Sequence, residues 1–393
     1  MCSSDLFYAL LREQAPVVWS EQARSWILTR YEDVKRVLRD HETFSSVRSE
    51  ERRIGRKSGL LPEQVAPPGT PNMLGADRPD HTRLRVVLRQ DFIPSRIGRW
   101  QSRIEAVCDQ TVRGVAGRDS YDVVKGVAEP LPVTVIAELL GIPSELGVQF
   151  KRWSDAAIKP VAPNATDDDV RARNALITEF RDYLTDRIEE RRVAPTEDLI
   201  GRLVAAEGEG ELNQAEVLSA VNLLLLAGNE TTTNLISNAV LALATQPEKQ
   251  AQLRERPDLI DPAVEEFLRY DGSVQYTSRT VTKPVSFHGQ TVAAGEAVIV
   301  VLASANRDPR VFERPDELDF ERPRSPNKHI GFGDWIHICL GQFLARIETR
   351  AALRALLGEF DDFELAIPED DIPYRPNFNL RGPRYLPIRE RQV

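Results

Sequence analysis

Apolar side chains recur at helical spacing over most of the chain, three and four residues apart, which predicts amphipathic helices. The helical segments are His81–Asp91, Arg96–Val115, Leu131–Leu140, Val170–Arg192, Glu216–Ala244, Pro262–Tyr270 and Leu340–Phe360. Strand-like runs are shorter and fall at Trp26–Thr29, Ser278–Gly289 and Ala297–Val301, with a hairpin-like turn at His288-Gly289-Gln290 between the last two. The pattern predicts a mainly α protein with small β pieces.

No internal repeat and no low-complexity linker interrupts this pattern, so we expect residues 1–393 to form a single domain. The longest irregular stretch runs from Ser45 to Thr70 and is broken by glycine and proline. A loop of that length inside a compact chain is usually functional or mobile.

The segment Glu216–Ala244 is the longest predicted helix, at about 29 residues and roughly 43 Å. Its middle is apolar nearly all round, which is typical of a helix buried in a protein core. Yet glycine and polar residues occupy the stretch from Ala227 to Thr232, with Glu230 among them. A buried carboxylate is costly unless it has a partner or a function. This stretch is therefore a candidate functional site.

Cys339 stands at the start of the last long predicted helix. Helix N-termini offer unpaired N–H groups and a positive dipole end, both of which stabilise a thiolate. Such a cysteine suits metal ligation or nucleophilic attack, but a lone cysteine is also commonly a small buried apolar residue. This segment alone leaves both interpretations open. The same helix carries Arg346, Arg350 and Arg354 on one face, which is typical of a solvated surface.

Composition narrows the possible partners. The 51 basic and 60 acidic residues give a net charge of −9, which argues against nucleic acid as a main partner. Three cysteines, Cys2, Cys108 and Cys339, make no disulfide framework in a chain of 393 residues and favour a reducing, cytoplasmic setting. The most apolar short run, Leu223–Ala227, is far below the roughly 20 residues that span a bilayer. We expect a cytoplasmic monomer without a membrane segment.

The loop around Cys339 resembles the haem-binding loop of the cytochrome P450 superfamily, Phe-Gly-x-Gly-x-His-x-Cys-x-Gly. Every fixed position matches except the second glycine, which is Trp335. Further similar segments are Asp80–Arg85, Ala227–Thr231, Glu266–Arg269, Ala305–Pro309, Leu344–Glu348 and Leu380–Gly382. Each match alone is weak, but together they follow the family's order from about residue 77 to 387. The chain thus resembles the soluble bacterial branch.

The resemblance implies the family's fold, a helix-rich triangular prism with small β-sheets. Haem b (iron protoporphyrin IX) would lie between the long central helix and the helix after the cysteine. The implied activity is that of a haem-thiolate monooxygenase, which hydroxylates or epoxidises a hydrophobic small molecule with O2. Electrons would come from a separate ferredoxin or flavin-type protein, since no Gly-x-Gly-x-x-Gly after a strand is present.

The resemblance also implies roles for single residues. Cys339 would be the axial thiolate, whose electron density favours O–O cleavage, and Phe332 and Gly341 of the same loop would help to bind the haem. Glu230 and Thr231 resemble the acid–alcohol pair that delivers protons during dioxygen activation. The positions that match the family's propionate partners are His81, Arg85, Arg279 and His337. His81 and Arg85 lie at i and i+4, on one helix face.

Other implied roles compete with simpler ones. Five mainly apolar residues would line the substrate pocket or belong to the core: Leu223, Leu226, Ala227, Val274 and Gln275. Glu266 and Arg269 would join Arg322 in a buried structural network, or form a weak surface pair. The Ser45–Thr70 stretch would be a mobile substrate lid. The arginines after the cysteine would dock an acidic electron donor, although Arg346 could be structural.

Trp335 departs from the family pattern, because glycine there permits backbone conformations that other residues avoid. The indole could point outward over the cysteine-side surface, shield the thiolate, or distort the loop. Two other functions stay open at this point. One is an H2O2-dependent peroxygenase, against which the retained Glu230 and Thr231 argue. The other is a non-catalytic haem-binding protein. A haem-free hydrolase lacks its motifs in this sequence.

Overall fold

The computed structural model describes residues 3–47, 65–113, 119–158, 165–323, 328–375 and 377–391. The α-helices in chain order are α1 (Ser3–Gln14), α2 (Tyr31–Arg39), α3 (Asp80–Arg89), α4 (Pro94–Ile97), α5 (Gln101–Arg113), α6 (Pro130–Leu139), α7 (Gly147–Ile158), α8 (Asp167–Val193), α9 (Leu199–Gly208), α10 (Gln214–Ala244), α11 (Pro247–Glu255), α12 (Ile260–Tyr270), α13 (Leu302–Ala305) and α14 (Gln342–Glu359). Single-turn elements lie at Gly98–Trp100, Val124–Ala128, Ser144–Leu146, Pro257–Leu259, Trp335–His337 and Glu369–Asp371. The expected mainly α fold is confirmed.

Strands are few and short. They are β1 (Val17–Ser20), β2 (Ser25–Leu28), β3 (Phe44–Ser45), β4 (Tyr121–Asp122), β5 (Tyr276–Val281), β6 (Val285–Phe287), β7 (Gln290–Val292), β8 (Ala297–Val301), β9 (Phe363–Leu365) and β10 (Pro387–Glu390). The largest sheet has the order β1-β2-β8-β5-β3, and only its β2–β8 pair is parallel. Two smaller sheets have the orders β4-β10-β9 and β6-β7.

Two predicted elements differ from the observed ones. The segment Arg96–Val115 is not one helix, because α4 ends at Ile97 and a single 3-10 turn precedes α5. The predicted turn at His288 and Gly289 exists, but it joins β6 to β7 within the segment predicted as one strand. Both residues have positive φ, 47° and 83°, as a tight two-residue hairpin requires.

Contacts between Cα atoms group the chain into two compact units. The sheet-bearing unit comprises residues 1–49, 99–131 and 231–393, and the helical unit comprises residues 50–98 and 132–230. The boundary between them falls inside α10, between Glu230 and Thr231. That residues 1–393 act as one domain stays a prediction. In the part of the chain described, no helix is both long and apolar enough to span a membrane.

The core of the sheet-bearing unit packs α2 and the β6–β7 hairpin with the largest sheet. Leu28, Val34 and Val300 are fully buried there. Tyr31 packs edge-on against Phe312, with ring centroids 5.7 Å apart. The Tyr31 hydroxyl donates to the Lys328 carbonyl at 2.7 Å, so this core reaches the segment that precedes the cysteine loop.

The helical unit has an aromatic core between α7 and α8. The Trp153 ring stacks on Phe180 at 5.4 Å and contacts Tyr183 at 4.9 Å. A capping box of Thr166 and Asp169 begins α8, which satisfies N–H groups that have no partner within the helix. The aromatic contacts thus hold α7 against α8, and the capping box stabilises the first turn of α8.

Candidate active site

The cysteine loop is closed by its own backbone. The N–H of Cys339 donates to the carbonyl of Phe332 at 2.8 Å, and the N–H of Gly333 donates to the carbonyl of Ile330 at 2.9 Å. Gly333 has a φ of 72°, which glycine tolerates without strain. Helix α14 begins at Gln342, so Cys339 lies three residues before it and not directly at its first turn. The residue is partly exposed.

Trp335 also adopts the left-handed backbone conformation, with a φ of 59°. The Asp334 carboxylate accepts a hydrogen bond from the Trp335 N–H at 2.8 Å and one from Arg39 at 2.7 Å. Trp335 is 54% exposed. The loop therefore keeps its closing hydrogen bond while a non-glycine residue occupies a glycine-type conformation, and the indole is directed largely toward solvent.

Glu265 anchors the cysteine loop to α12. Its carboxylate accepts two hydrogen bonds from Arg346, at 2.5 and 2.9 Å. The Arg346 guanidinium lies over the Phe332 ring, 4.6 Å from its centroid. Nδ1 of His329 accepts from the Gly331 N–H at 3.1 Å, which leaves Nε2 to donate to Glu265 at 3.0 Å. Glu265 thus holds both the start of the loop and the helix that follows it.

The electrostatics of Glu265 agree with this geometry. Burial by itself would raise the pKa of Glu265, but hydrogen bonds and charges from Arg346 and His329 outweigh it and lower the pKa to about 2. Sequence reasoning assigned no role to Glu265 or His329. No local pattern signals their pairing, because it joins residues 64 positions apart.

The neighbouring carboxylate, Glu266, forms a second network. Arg269 donates to both of its oxygens at 2.8 Å, and Arg322 donates to it at 3.1 Å. Arg269 also donates to the Asn306 carbonyl at 3.1 Å, while the Asn306 side chain accepts from the Ile330 N–H at 2.7 Å. The structure therefore brings the predicted set of Glu266, Arg269 and Arg322 together. Through Asn306 it connects this set to Ile330, two residues before the start of the cysteine loop at Phe332.

On α10, an accessible segment runs from Leu226 to Thr231, with Asn229 buried within it. Ala227 is exposed and Leu226, Gly228, Glu230 and Thr231 are partly exposed, whereas all residues from 232 to 244 are buried. A Cβ added at Gly228 would meet no atom within 4 Å, so open space lies beside the helix there. The helix is continuous through this segment.

The four residues predicted to bind haem propionates are divided between the two units. His81 is buried on α3 with Arg85 one turn later, both in the helical unit. In the sheet-bearing unit, Arg279 of β5 donates to the Ser278 carbonyl at 2.8 Å. There also, Nε2 of His337 lies 2.9 Å from the Ser46 hydroxyl.

The predicted substrate contacts differ in accessibility. Leu223 is buried, while Leu226 and Ala227 belong to the accessible segment of α10. Val274 is partly buried and forms a β-bridge with Leu380. The Gln275 side chain is buried and donates to the Gly272 carbonyl at 2.8 Å. The geometry therefore favours a core role for Leu223 and gives Gln275 a structural contact.

The arginine row on α14 is largely committed to intramolecular pairs. Arg346 binds Glu265, and Arg350 binds Asp261 at 2.6 Å, while Arg354 is exposed. Arg346 therefore has the structural contact that the sequence left open as an alternative, and the docking of an electron donor on this face stays a prediction. The predicted substrate lid, from Ser45 to Thr70, lies mostly outside the described residues.

Comparison with known proteins identifies the family. The family model described as Cytochrome P450 matches residues 150–382. The chain is 37% identical over 385 residues to the polyketide biosynthesis cytochrome P450 PksS of Bacillus subtilis, covering 96% of this chain and 93% of that one. The chain belongs to the cytochrome P450 family. It is also 36% identical to the vitamin D(3) 25-hydroxylase of Pseudonocardia autotrophica, over 97% of this chain and 92% of that protein.

Solved structures confirm the cytochrome P450 fold. The crystal structure of CalO2 superposes with a TM-score of 0.88 at 34% identity, covering 99% of this chain and 96% of that one. The structure of PksS superposes with a TM-score of 0.87, also at 34% identity, and covers 99% and 97% of the two chains. The chain is accordingly a monooxygenase of the haem-thiolate class, and its cofactor is haem.

The donor chemistry of the chain fits haem. The family's cofactor takes a cysteine thiolate as axial ligand, and Cys339 is a partly exposed cysteine in a loop whose backbone is already closed. A flat macrocycle also needs accessible surface without bulky side chains. An added Cβ at Gly341, two residues after the cysteine, would meet nothing within 4 Å.

Proposed function

We propose that the thiolate of Cys339 would bind the haem iron and that Glu230 and Thr231 would move protons for oxygen insertion into a hydrophobic small molecule. The observation that carries this proposal is the closed loop at Cys339, which Glu265 and Arg346 connect to helix α12. When bound, haem supplies dioxygen activation, and a thiolate ligand favours O–O cleavage. The protein's part is to hold the thiolate in place.

The accessible segment of α10 supports the proton role. Thr231 places a hydroxyl, and Glu230 a carboxyl, at the partly exposed part of the helix. A hydroxyl can hold a proton at its oxygen, and a carboxyl with access to water can replace that proton. Gly228 leaves space beside this turn. His81, Arg85, Arg279 and His337 would bind the two propionates.

The proposed substrate is a mainly apolar molecule, contacted by Leu226 and Ala227. Relatives differ in what they bind, since solved structures hold corticosterone, testosterone or myristic acid. The proposed electron source is a separate ferredoxin or flavin protein in the cytoplasm, because the sequence carries no dinucleotide-binding fingerprint. Arg354 is the exposed cation of the α14 row that stays available to such a partner.

A binding and coupling assay tests this function. Corticosterone, testosterone and myristic acid are titrated into the haem-loaded protein, and the spin-state shift of the haem absorption identifies a bound compound. That compound is then turned over with reductant, ferredoxin and O2. We expect Thr231→Ala to divert most reducing equivalents to peroxide or water, and the exposed Thr245→Ala to behave as wild type. Equal product per reductant in wild type and Thr231→Ala would contradict the role of Thr231.

A further inference from the structure

Asn229 is buried within the accessible segment of α10. It is 5% exposed, although the residues before and after it, Gly228 and Glu230, are partly exposed. Its side-chain amide donates to the hydroxyl of Ser154 on α7 at 2.9 Å, and Ser154 is fully buried. A hydrogen bond between two uncharged side chains thus joins two helices of the helical unit at this segment.

The two groups of this pair depend on each other. A buried donor or acceptor that loses its partner keeps the cost of its removal from water, which exceeds the net gain from the bond itself. A displacement of α7 that separates Ser154 from Asn229 is therefore opposed. Buried polar side chains can specify one register between helices, as a single buried asparagine does in coiled coils. The bond accordingly favours one relative position of α7 and α10.

The contacts of α7 with α8 are of a different kind. Trp153, the neighbour of Ser154, stacks on Phe180 of α8 at 5.4 Å. Phe150 meets the same ring edge-on at 6.1 Å. Burial of apolar surface is non-directional, so it tolerates small displacements. The rings hold α7 on α8, whereas the hydrogen bond gives α7 a defined position against α10.

The face of α10 that carries Asn229 also carries Leu226. Residues three positions apart are neighbours on a helix surface, so Leu226 lies just under one turn before Asn229. Leu226 is partly exposed and is one of the two residues proposed above to contact the substrate. Helix α7 meets this same face at Asn229, so it borders the space beside Leu226.

We propose that Ser154 and Asn229 are positioning residues whose hydrogen bond sets the spacing of α7 and α10, and so limits the width of the ligand admitted beside Leu226. This inference rests on the proposed function, since it assumes that the substrate contacts Leu226. A ligand wider than this spacing enters only by breaking the bond. Once either partner is removed, wide ligands bind more tightly because that cost has gone, and narrow ligands bind as before.

The test compares two azoles that bind the iron of the haem-loaded protein through the same kind of ring nitrogen, imidazole and the wider N-naphthylimidazole. Each shifts the haem absorption, so its dissociation constant is measured without turnover. We expect Ser154→Ala and Asn229→Ala each to lower the dissociation constant of N-naphthylimidazole by about fivefold and to leave that of imidazole unchanged. A merely structural loss would weaken the binding of both azoles.

The control is Gln149→Ala, which breaks a surface hydrogen bond from Gln149 of α7 to Glu179 of α8 and should keep both wild-type values. The double variant of Ser154→Ala with Asn229→Ala leaves neither an amide nor a hydroxyl of this pair unpaired. It should show the same change as each single variant, because one bond can be lost only once. The inference is overturned if the two single effects add in the double variant, or if the ratio of the two dissociation constants stays at its wild-type value.

Failure of the proposed function would look different. It would appear as a carbon monoxide complex without the absorption typical of a thiolate ligand. The azole titrations need an accessible iron but neither the thiolate nor proton transfer. A thiolate-type band together with an unchanged ratio of dissociation constants would therefore overturn the positioning role alone.

Discussion

Two carboxyl groups at helix α14 have pKa values shifted in opposite directions. Glu265 lies on α12 and pairs with Arg346 of α14, whereas Glu348 lies on α14 itself. Glu265 receives hydrogen bonds from Arg346 and His329, and its pKa falls to about 2. Glu348 has the Thr232 hydroxyl as its partner, and burial raises its pKa to about 8. Glu348 is buried and Glu265 is partly buried, but among the described residues Glu265 has cationic partners and Glu348 has none. The Glu265 carboxylate anchors the cysteine loop by charge, whereas the Glu348 carboxyl contacts α10 as a neutral acid.

The largest expected effect is the pH dependence of stability at Glu348. Its pKa in the folded protein lies above the ordinary value of 4.5, so its contribution to stability is complete below about pH 4.5 and is lost as pH rises through about 8. The loss is about 5 kcal/mol. Urea unfolding across pH should show Glu348→Gln gaining on wild type toward alkaline pH. A difference that does not vary with pH would contradict this.

Glu265→Gln should have the opposite dependence. The folded-state pKa of about 2 lies below the ordinary value of 4.5. The stabilisation is therefore present above about pH 4.5 and is lost as pH falls toward 2. We expect the variant to lose about 3 kcal/mol at neutral pH, with the deficit shrinking in acid. Glu364→Gln, which breaks the surface pair with Arg389, is the matched control and should cost less than about 1 kcal/mol.

Trp335→Gly tests how much strain the cysteine loop tolerates. A left-handed conformation costs a non-glycine residue about 1–2 kcal/mol, part of which the entropy of glycine offsets. The variant should gain about 1 kcal/mol in thermal unfolding. Trp335→Ala removes the indole and keeps the unfavourable conformation, so it should show no such gain. Equal gains in both variants would assign the effect to the indole instead.

The smallest effect is expected at the α14 surface. Asp261, the partner of Arg350, has a side chain that is 59% exposed, and exposed pairs contribute little. Arg350→Ala should change the free energy of unfolding by less than about 1 kcal/mol. Arg346→Ala should lower it by more, because it removes the arginine partner of Glu265. Similar losses of stability in the two variants would show that the Arg346–Glu265 pair contributes no more than the surface pair Arg350–Asp261.

The sequence was most informative where the functional residues are neighbours in the chain. The Phe332–Gly341 loop, the Ala227–Thr231 stretch and the Glu266–Arg269 pair all lie within a few residues, so motifs reveal them. Most helices were also predicted correctly, because the spacing of apolar residues along a helix is a local property of the sequence. The break between α4 and α5 was missed because the apolar spacing continues through the 3-10 turn at Gly98–Trp100.

Long-range pairing could not be predicted in this way. His329 and Glu265 meet only in the fold, and the neutral state of Glu348 depends on burial by α5 and α10. The direction of the Trp335 side chain could not be predicted from the sequence for a similar reason. The Asp334 side chain caps the turn and binds Arg39, and that contact spans 295 positions.

The most direct test of the central claim is the carbon monoxide difference spectrum of the reduced, haem-loaded protein. The chain offers a matched pair of variants, because Cys108 is a buried cysteine away from the loop. If Cys339 ligates the iron, wild type and Cys108→Ala should show the absorption band typical of thiolate-ligated haem, and Cys339→Ser should lose it. A thiolate-type band that persists in Cys339→Ser, or its absence from the wild type, would contradict the account.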